Sequence, residues 1–176
     1  MSGTTSPAPA GRGATAGSGA GAQPVEEPVR WLDPEQQGWW RDYLLGVARL
    51  TEALSRALDE DADLSLSEYE ILVRLSEADD HTVRMSDLAS SLVHSRSRLT
   101  HTVSRLERRG LVERRACTDD GRGVNAAMTP AGYELLVSAA PGHVRAVREN
   151  LVDVLSRDQL MALGEAMSLV APGVTG

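Results

Sequence analysis

Lysine and phenylalanine do not occur in the 176 residues, and there is a single cysteine, Cys117. One thiol excludes an intramolecular disulfide and any multi-cysteine zinc site, which suits a reducing compartment. It lacks a resolving partner, so an inert surface thiol is the expectation over a redox switch. Aromatic residues make up only 3% of the chain, so a core must be built from Leu, Val, Ala and Met. No apolar run approaches the roughly 18 residues of a membrane span. The N-terminus also lacks the charged-then-apolar order of a signal peptide. A soluble, cytoplasmic protein is expected. There is no Gly-rich phosphate loop, no carboxylate pair on a plausible pocket face and no nucleophile spaced with a base, which argues against an enzyme. The four histidines, His81, His94, His101 and His143, form no H-x3-H pair, so neither a metal nor another cofactor is expected.

Charge of one sign is unevenly supplied. The net charge is −7, and all 18 cationic residues are arginine, for which the codon bias of a GC-rich genome is sufficient explanation. Between Arg84 and Arg122 nine arginines face five acids, a net of +4, while the remainder of the chain carries −11. A polyanion responds to the local field, which at cell-like salt is set within about 8–10 Å.

The basic segment contains the most informative stretch. Leu99, Val103 and Leu106 follow the 4-then-3 spacing of one helical stripe. Ser97, His101, Ser104 and Arg108 then face the other way, flanked by Arg98, Thr100 and Arg105. Hydroxyl, imidazole and guanidinium groups on such a face can donate to base edges and neutralise phosphates; the alternative is an ordinary solvated face. Ser95 is placed to cap this helix. Arg96 lies nearer the buried side, where reaching a phosphate and packing are equally open. Gly110, just after Arg108-Arg109, has the position of a C-terminal cap.

Around it, the chain divides by composition and period. Of the first 24 residues, 21 are Gly, Ala, Pro, Ser or Thr, and residues 1–29 are read as a disordered tail. Asp33-Pro34-Glu35-Gln36 starts a long helix with Trp40, Tyr43, Leu44, Val47, Leu50, Leu54 and Leu58 in one stripe, ending near Asp59. Residues 30–62 form an N-terminal dimerisation helix on this reading. Ser67-Glu68-Tyr69-Glu70 is a capping box for a second helix. Thr82-Val83-Arg84 suits a short strand, Ser86 to Leu92 a two-turn helix, and Val93-His94 a turn. Leu111 to Arg115 and Val124 to Met128 read as two strands of a hairpin wing. Arg114 and Arg115 are expected to follow phosphates. Thr129-Pro130 starts a further helix, bent at Pro141-Gly142, and Ser156-Arg157-Asp158-Gln159 caps a last one, ended by Ala171-Pro172-Gly173. Residues 63–129 would then be a winged helix-turn-helix and 130–176 a pair of C-terminal dimerisation helices. The fold class is mainly α with a small β-hairpin wing. Trp39, Trp40, Tyr43 and Tyr69 suit core packing or the wall of a ligand pocket, two roles that overlap.

The chain resembles the MarR family of winged-helix transcription regulators over roughly Pro34 to Val170. The resemblance rests on Leu66-Ser67-Glu68-Tyr69-Glu70-Ile71-Leu72, Arg84-Met85-Ser86-Asp87-Leu88-Ala89 and Ser95-Arg96-Ser97-Arg98-Leu99-Thr100. It continues in Arg105-Leu106-Glu107-Arg108-Arg109-Gly110-Leu111-Val112, Asp120-Gly121-Arg122-Gly123 and Met128-Thr129-Pro130-Ala131-Gly132. Each piece is weak alone; their order and spacing together are specific. The resemblance implies a homodimer held by the terminal helices, double-stranded DNA as partner, and wings lying along the minor groove. It also implies repression relieved by a small, often phenolic or aromatic-acid, effector bound between the dimer helices and the winged helix. The acid-x-Arg pair of family wings is matched by Asp120 and Arg122. Two departures are Val93-His94, where many members have Gly-Val, and Gly121, where Arg is common. The other reading open to such a fold is a winged helix that binds protein instead of DNA, which the acidic total charge favours.

Overall fold

In a computed structural model of the chain, residues 29–92, 95–117 and 123–170 are described. Helix α1 (Pro34–Ala62) begins at Asp33, whose carboxylate accepts from the Gln36 amide while the Gln36 side chain accepts from the Asp33 amide, the reciprocal cap expected. The helix continues past Asp59 because Asp63 takes a left-handed conformation and its amide closes the last turn on Asp59. Leu64 is thereby turned into the core.

Helix α2 (Leu66–Ser76) starts two residues earlier than the Ser67 box predicts, because its cap is Ser65. Two S-x-x-E frames overlap in Ser65-Leu66-Ser67-Glu68-Tyr69-Glu70. The earlier one wins by placing Glu68 at the third helical position, where it also meets α4. A 3-10 turn (Asp79–His81) leads to strand β1 (Thr82–Arg84), then α3 (Met85–Ser91) and α4 (Arg96–Arg108). The expected Val93-His94 turn lies outside the described residues.

Strands β2 (Val112–Ala116) and β3 (Val124–Met128) form the wing, and β1 pairs with β3, giving an antiparallel sheet in the order β1-β3-β2. In register, Val112 faces Met128, Arg114 faces Ala126, and Val83 also faces Ala126 from the other side. The central strand is flanked on both edges, which is why Ala126 and Ala127 are buried.

Helix α5 (Pro130–Val147) is capped by Thr129. It continues as one helix through Pro141-Gly142, where the bend was expected. Proline lacks the amide that would donate to the Val137 carbonyl, and both Pro141 and Val137 lie on the exposed side of the helix. The departure from α geometry comes later, as a π turn at Arg148–Val152. Helix α6 (Arg157–Val170) follows the Ser156 and Gln159 box as expected. Its Ala171-Pro172-Gly173 end is outside the described residues.

The core sits where α2, α3 and α4 meet the sheet: Ile71, Leu72, Leu75, Leu88, Leu99, Val103, Leu106 and Val112 are essentially inaccessible. Each such aliphatic side chain contributes on the order of 1.5–3 kcal/mol by leaving water. Leu58 from α1 and Leu136 and Ala139 from α5 close the core from behind.

The junction of α4, β2 and α5 is tight. The Thr129 hydroxyl donates to the Gly110 carbonyl (2.7 Å) and accepts from the Gly132 amide (3.1 Å). Gly110 has φ +71°, as its capping position requires. A Cβ on Gly132 would overlap the Leu111 carbonyl oxygen, a backbone atom with no freedom to retreat. Gly132→Ala is therefore expected to destabilise the fold by about 1–3 kcal/mol in urea unfolding, the usual cost of overpacking. An unchanged midpoint would contradict the close approach.

Candidate nucleic-acid interface

Helix α4 presents the two faces its sequence implies. Leu99, Val103 and Leu106 are buried, as is Thr102, whose hydroxyl donates to the Arg98 carbonyl (3.0 Å). Ser95, Arg96, Ser97, Arg98, Thr100, His101, Arg105 and Arg108 are exposed, with Ser104 half-buried. The helix starts as expected, the Ser95 hydroxyl accepting from the Arg98 amide at 3.2 Å.

The arginines of this region fall into two groups. Arg105 forms an ion pair with the buried Glu68 (2.8 Å), and Arg109 pairs with Asp63 (3.5 Å) and donates to its carbonyl (2.6 Å). Arg114 points inward: it donates to Glu107 (3.0 Å), the Thr100 carbonyl (3.0 Å) and Ser104 Oγ (2.9 Å), clamping the wing to α4. Arg115 pairs with its neighbour Glu113. Among the described residues, Arg96, Arg98 and Arg108 form no ion pair. Arg98 donates to Ser67 Oγ (3.3 Å) and Arg108 to the Ser104 carbonyl (3.3 Å). The uncompensated positive charge thus lies on the face of α4 turned away from the core. Asp120 and Arg122 lie outside the described residues.

Arg84, Ser86, Arg96, Thr100 and Gly123 line a cleft of about 290 Å³ between α4 and the sheet. Arg84 and Ser86 were not among the residues expected to contact DNA, because nothing in their local pattern links them to α4. Period-2 alternation along Val112, Arg114 and Ala116 would have placed Arg114 on the inner face of its strand.

The four aromatic residues proposed for a ligand pocket do not come together. Tyr69 lines a cleft of about 500 Å³ with Leu54, Leu66, Val73, Leu92 and His143. Trp39, Trp40 and Tyr43 are exposed on the first half of α1, with Trp40 stacked on Tyr43 at 5.7 Å, and line none of that cleft. The reason is length: only the second half of the 29-residue α1 packs on the winged helix. The Tyr69 and His143 rings lie 4.4 Å apart. Burial raises the Tyr69 pKa and holds that of His143 below its ordinary value, so both side chains are neutral at neutral pH. Nδ1 of His143 is buried without a hydrogen-bond partner.

Three helices and a three-stranded sheet, with α4 half-sunk in the core and half-displayed, define a winged helix-turn-helix protein. A sequence model of the MarR family matches residues 64–124. Sco3205 of Streptomyces coelicolor, a MarR family transcriptional regulator solved in complex with DNA, is 42% identical. That match has a TM-score of 0.80 and covers 84% of this chain and 93% of that one. AbsC of the same organism, also a MarR family transcriptional regulator, is 39% identical with a TM-score of 0.77, covering 81% of this chain and 95% of its own. The Escherichia coli transcriptional repressor MprA is 29% identical over 91 residues, 51% of this chain and 52% of that protein. This chain thus spans about half the length of the curated relatives it matches. The chain belongs to the MarR family of transcriptional regulators. No helix among the described residues is long and apolar enough to cross a membrane.

Burial alone would raise the pKa of Glu68, but hydrogen bonds from Arg105 and Ser65 outweigh it and leave the carboxyl below its ordinary value of 4.5. The unfolded chain therefore takes up this proton first on acidification. The contribution to stability is complete above 4.5 and lost as pH falls through the lower folded value. Between about pH 6 and 3, the unfolding free energy should fall more steeply in the unaltered protein than in Glu68→Gln. Parallel curves would remove Glu68 as a source of that dependence.

Proposed function

We propose that the protein is a sequence-specific, non-enzymatic DNA-binding repressor that acts as a homodimer on a pseudo-palindromic operator and is released by a small effector. The observation that carries this reading is the exposed face of α4: three arginines without an ion pair among the described residues, set among hydroxyls and an imidazole, on a helix whose opposite, apolar face is buried. Ser97, Arg98, Thr100 and His101 are assigned to base edges and nearby phosphates, and Ser95, Arg96 and Arg108 to the backbone. Asp120 and Arg122 belong to the same reading on sequence alone, as a wing pair for the minor groove. Arg114, held by Glu107, Thr100 and Ser104, is assigned to clamping the wing, while Arg115, exposed beside Glu113, keeps its assignment to phosphates.

A second copy of the chain is supported by apolar groups that one copy leaves in water. Trp39, Trp40, Leu44, Leu45 and Val47 on α1 and Met161, Leu169 and Val170 on α6 are all exposed. Covering them in a twofold dimer would present two α4 helices to successive major grooves, about 34–36 Å apart. On this reading α1, α5 and α6 form the dimerisation part, and residues 63–129 read the DNA.

The cleft beside Tyr69, lined by Leu54, Leu66, Val73 and Leu92, supports an effector that is small and largely apolar. Binding there would lower operator affinity by favouring a different separation of the two α4 helices.

The test begins with selection of genomic fragments by the purified protein, followed by titration of the recovered duplex and a scrambled one. A pseudo-palindromic duplex is expected, with release by small phenols or aromatic acids. Arg98→Ala should weaken binding to it by about 1–3 kcal/mol. Equal affinity for the recovered and scrambled duplexes would overturn the reading.

A further inference from the structure

Glu68 is the only carboxylate among the described residues that is fully buried, and every atom that holds it belongs to one joint. The Ser65 amide and hydroxyl donate to Oε2 at 2.9 and 2.8 Å, closing the cap of α2. Arg105 Nε donates to Oε1 at 3.1 Å, and Arg105 Nη2 lies 2.8 Å from Oε2 and donates to Ser65 Oγ at 3.1 Å. The contact spans 37 residues of chain and ties the first turn of α2 to the last turns of α4. One turn on, Arg109 repeats the arrangement against Asp63, the residue that ends α1.

Resting on the DNA-reading function above, we propose that Arg105 is a positioning residue that sets the orientation of α4 through Glu68, and is not itself a DNA contact. Exposure alone would favour the opposite, since half of the Arg105 side chain is accessible and it lies in a basic segment. Its charge, however, is compensated by a carboxylate at 2.8 Å, and its Nε and Nη2 are already directed at protein acceptors. A phosphate would have to displace a buried, fully hydrogen-bonded anion. Arg96, Arg98 and Arg108 carry no such obstacle.

The joint also lies next to the effector cleft. Tyr69 follows Glu68 directly and lines that cleft, as does Leu66 in the same turn. Any displacement of α2 by an occupant of the cleft therefore meets the Glu68–Arg105 contact one residue away, beside the apolar packing and the Arg98–Ser67 bond that also join α2 to α4.

The experiment compares binding of the selected and scrambled duplexes by the unaltered protein, Arg105→Lys and Glu68→Gln over a range of salt, with thermal unfolding alongside. Gln keeps the S-x-x-Q form of the cap, so α2 retains its start. Lys keeps the charge but loses the fork that reaches both Glu68 and Ser65. Positioning predicts that both variants lose roughly tenfold in the ratio of selected to scrambled affinity. Arg105→Lys leaves scrambled-duplex affinity and salt slope unchanged, while Glu68→Gln, which frees the Arg105 charge, gains on the scrambled duplex but not on the selected one. The double variant should be no worse than the weaker single one. A phosphate contact predicts the reverse: Arg105→Lys binds nearly as well, Glu68→Gln binds both duplexes more tightly, and Arg105→Ala flattens the salt slope by about 0.9. That result would overturn the proposal. So would a lowered unfolding midpoint with the ratio of selected to scrambled affinity intact. Failure of the unaltered protein to discriminate the duplexes would instead sink the DNA-reading function, and this inference with it.

Discussion

A helix that is to enter a groove must be held from one side only, and firmly enough that its free side keeps a fixed attitude. In this chain the holding is done by Leu99, Val103 and Leu106, all inaccessible to solvent, set against Ile71, Leu72, Leu75 and Leu88. Aliphatic burial is strong but weakly directional, so it fixes which face of α4 is inside better than it fixes rotation or tilt. Direction comes from polar contacts at three places around the helix: Ser95 at its start, Arg105 and Arg109 toward α1 and α2, and Arg114 from the wing. Ser95 closes the first turn of α4 itself, while Arg98 and Arg105 join the helix to α2, Arg109 joins it to the end of α1, and Arg114 joins it to β2.

This division explains how a chain of net charge −7 can present a positive face. Arginine in the basic segment does two kinds of work. Where a carboxylate lies within about 3.5 Å the guanidinium acts as a fork-shaped joint, and its charge disappears at longer range. Where none does, the charge is felt by solvent and by an approaching polyanion. The sign of the segment counted along the sequence therefore overstates the field, while the position of the unpaired arginines gives its direction.

The two faces of α4 were legible in the sequence because helical periodicity is a local property. So were the caps at Asp33, Ser95, Thr129 and Ser156, which need only residues three apart. What was not legible depended on distance along the chain. The frame of the α2 cap was decided by Arg105, 37 residues away, which rewards the earlier of two overlapping boxes. The inward turn of Arg114 was decided by acceptors on α4. Continuity of α5 through Pro141 goes with the exposure of Pro141 and Val137, a matter of packing that the local sequence does not carry. Trp39, Trp40 and Tyr43 were expected to join Tyr69 in the core or a pocket wall, yet they are exposed on the first half of α1 and do not line the cleft that Tyr69 lines.

The same geometry constrains how any signal could travel. Helix α2 carries Tyr69 and Val73 toward the cleft, Ile71, Leu72 and Leu75 into the core, and Glu68 to α4. A close-packed core resists gradual deformation, so movement of such a helix is a choice between discrete arrangements and not a continuous drift. An occupant of the cleft need not touch α4 at all: it need only prefer one placement of α2 over another. On the proposed reading the ion pair adds direction to the apolar packing of α2 on α4, because a guanidinium held by two acceptors constrains rotation as well as distance.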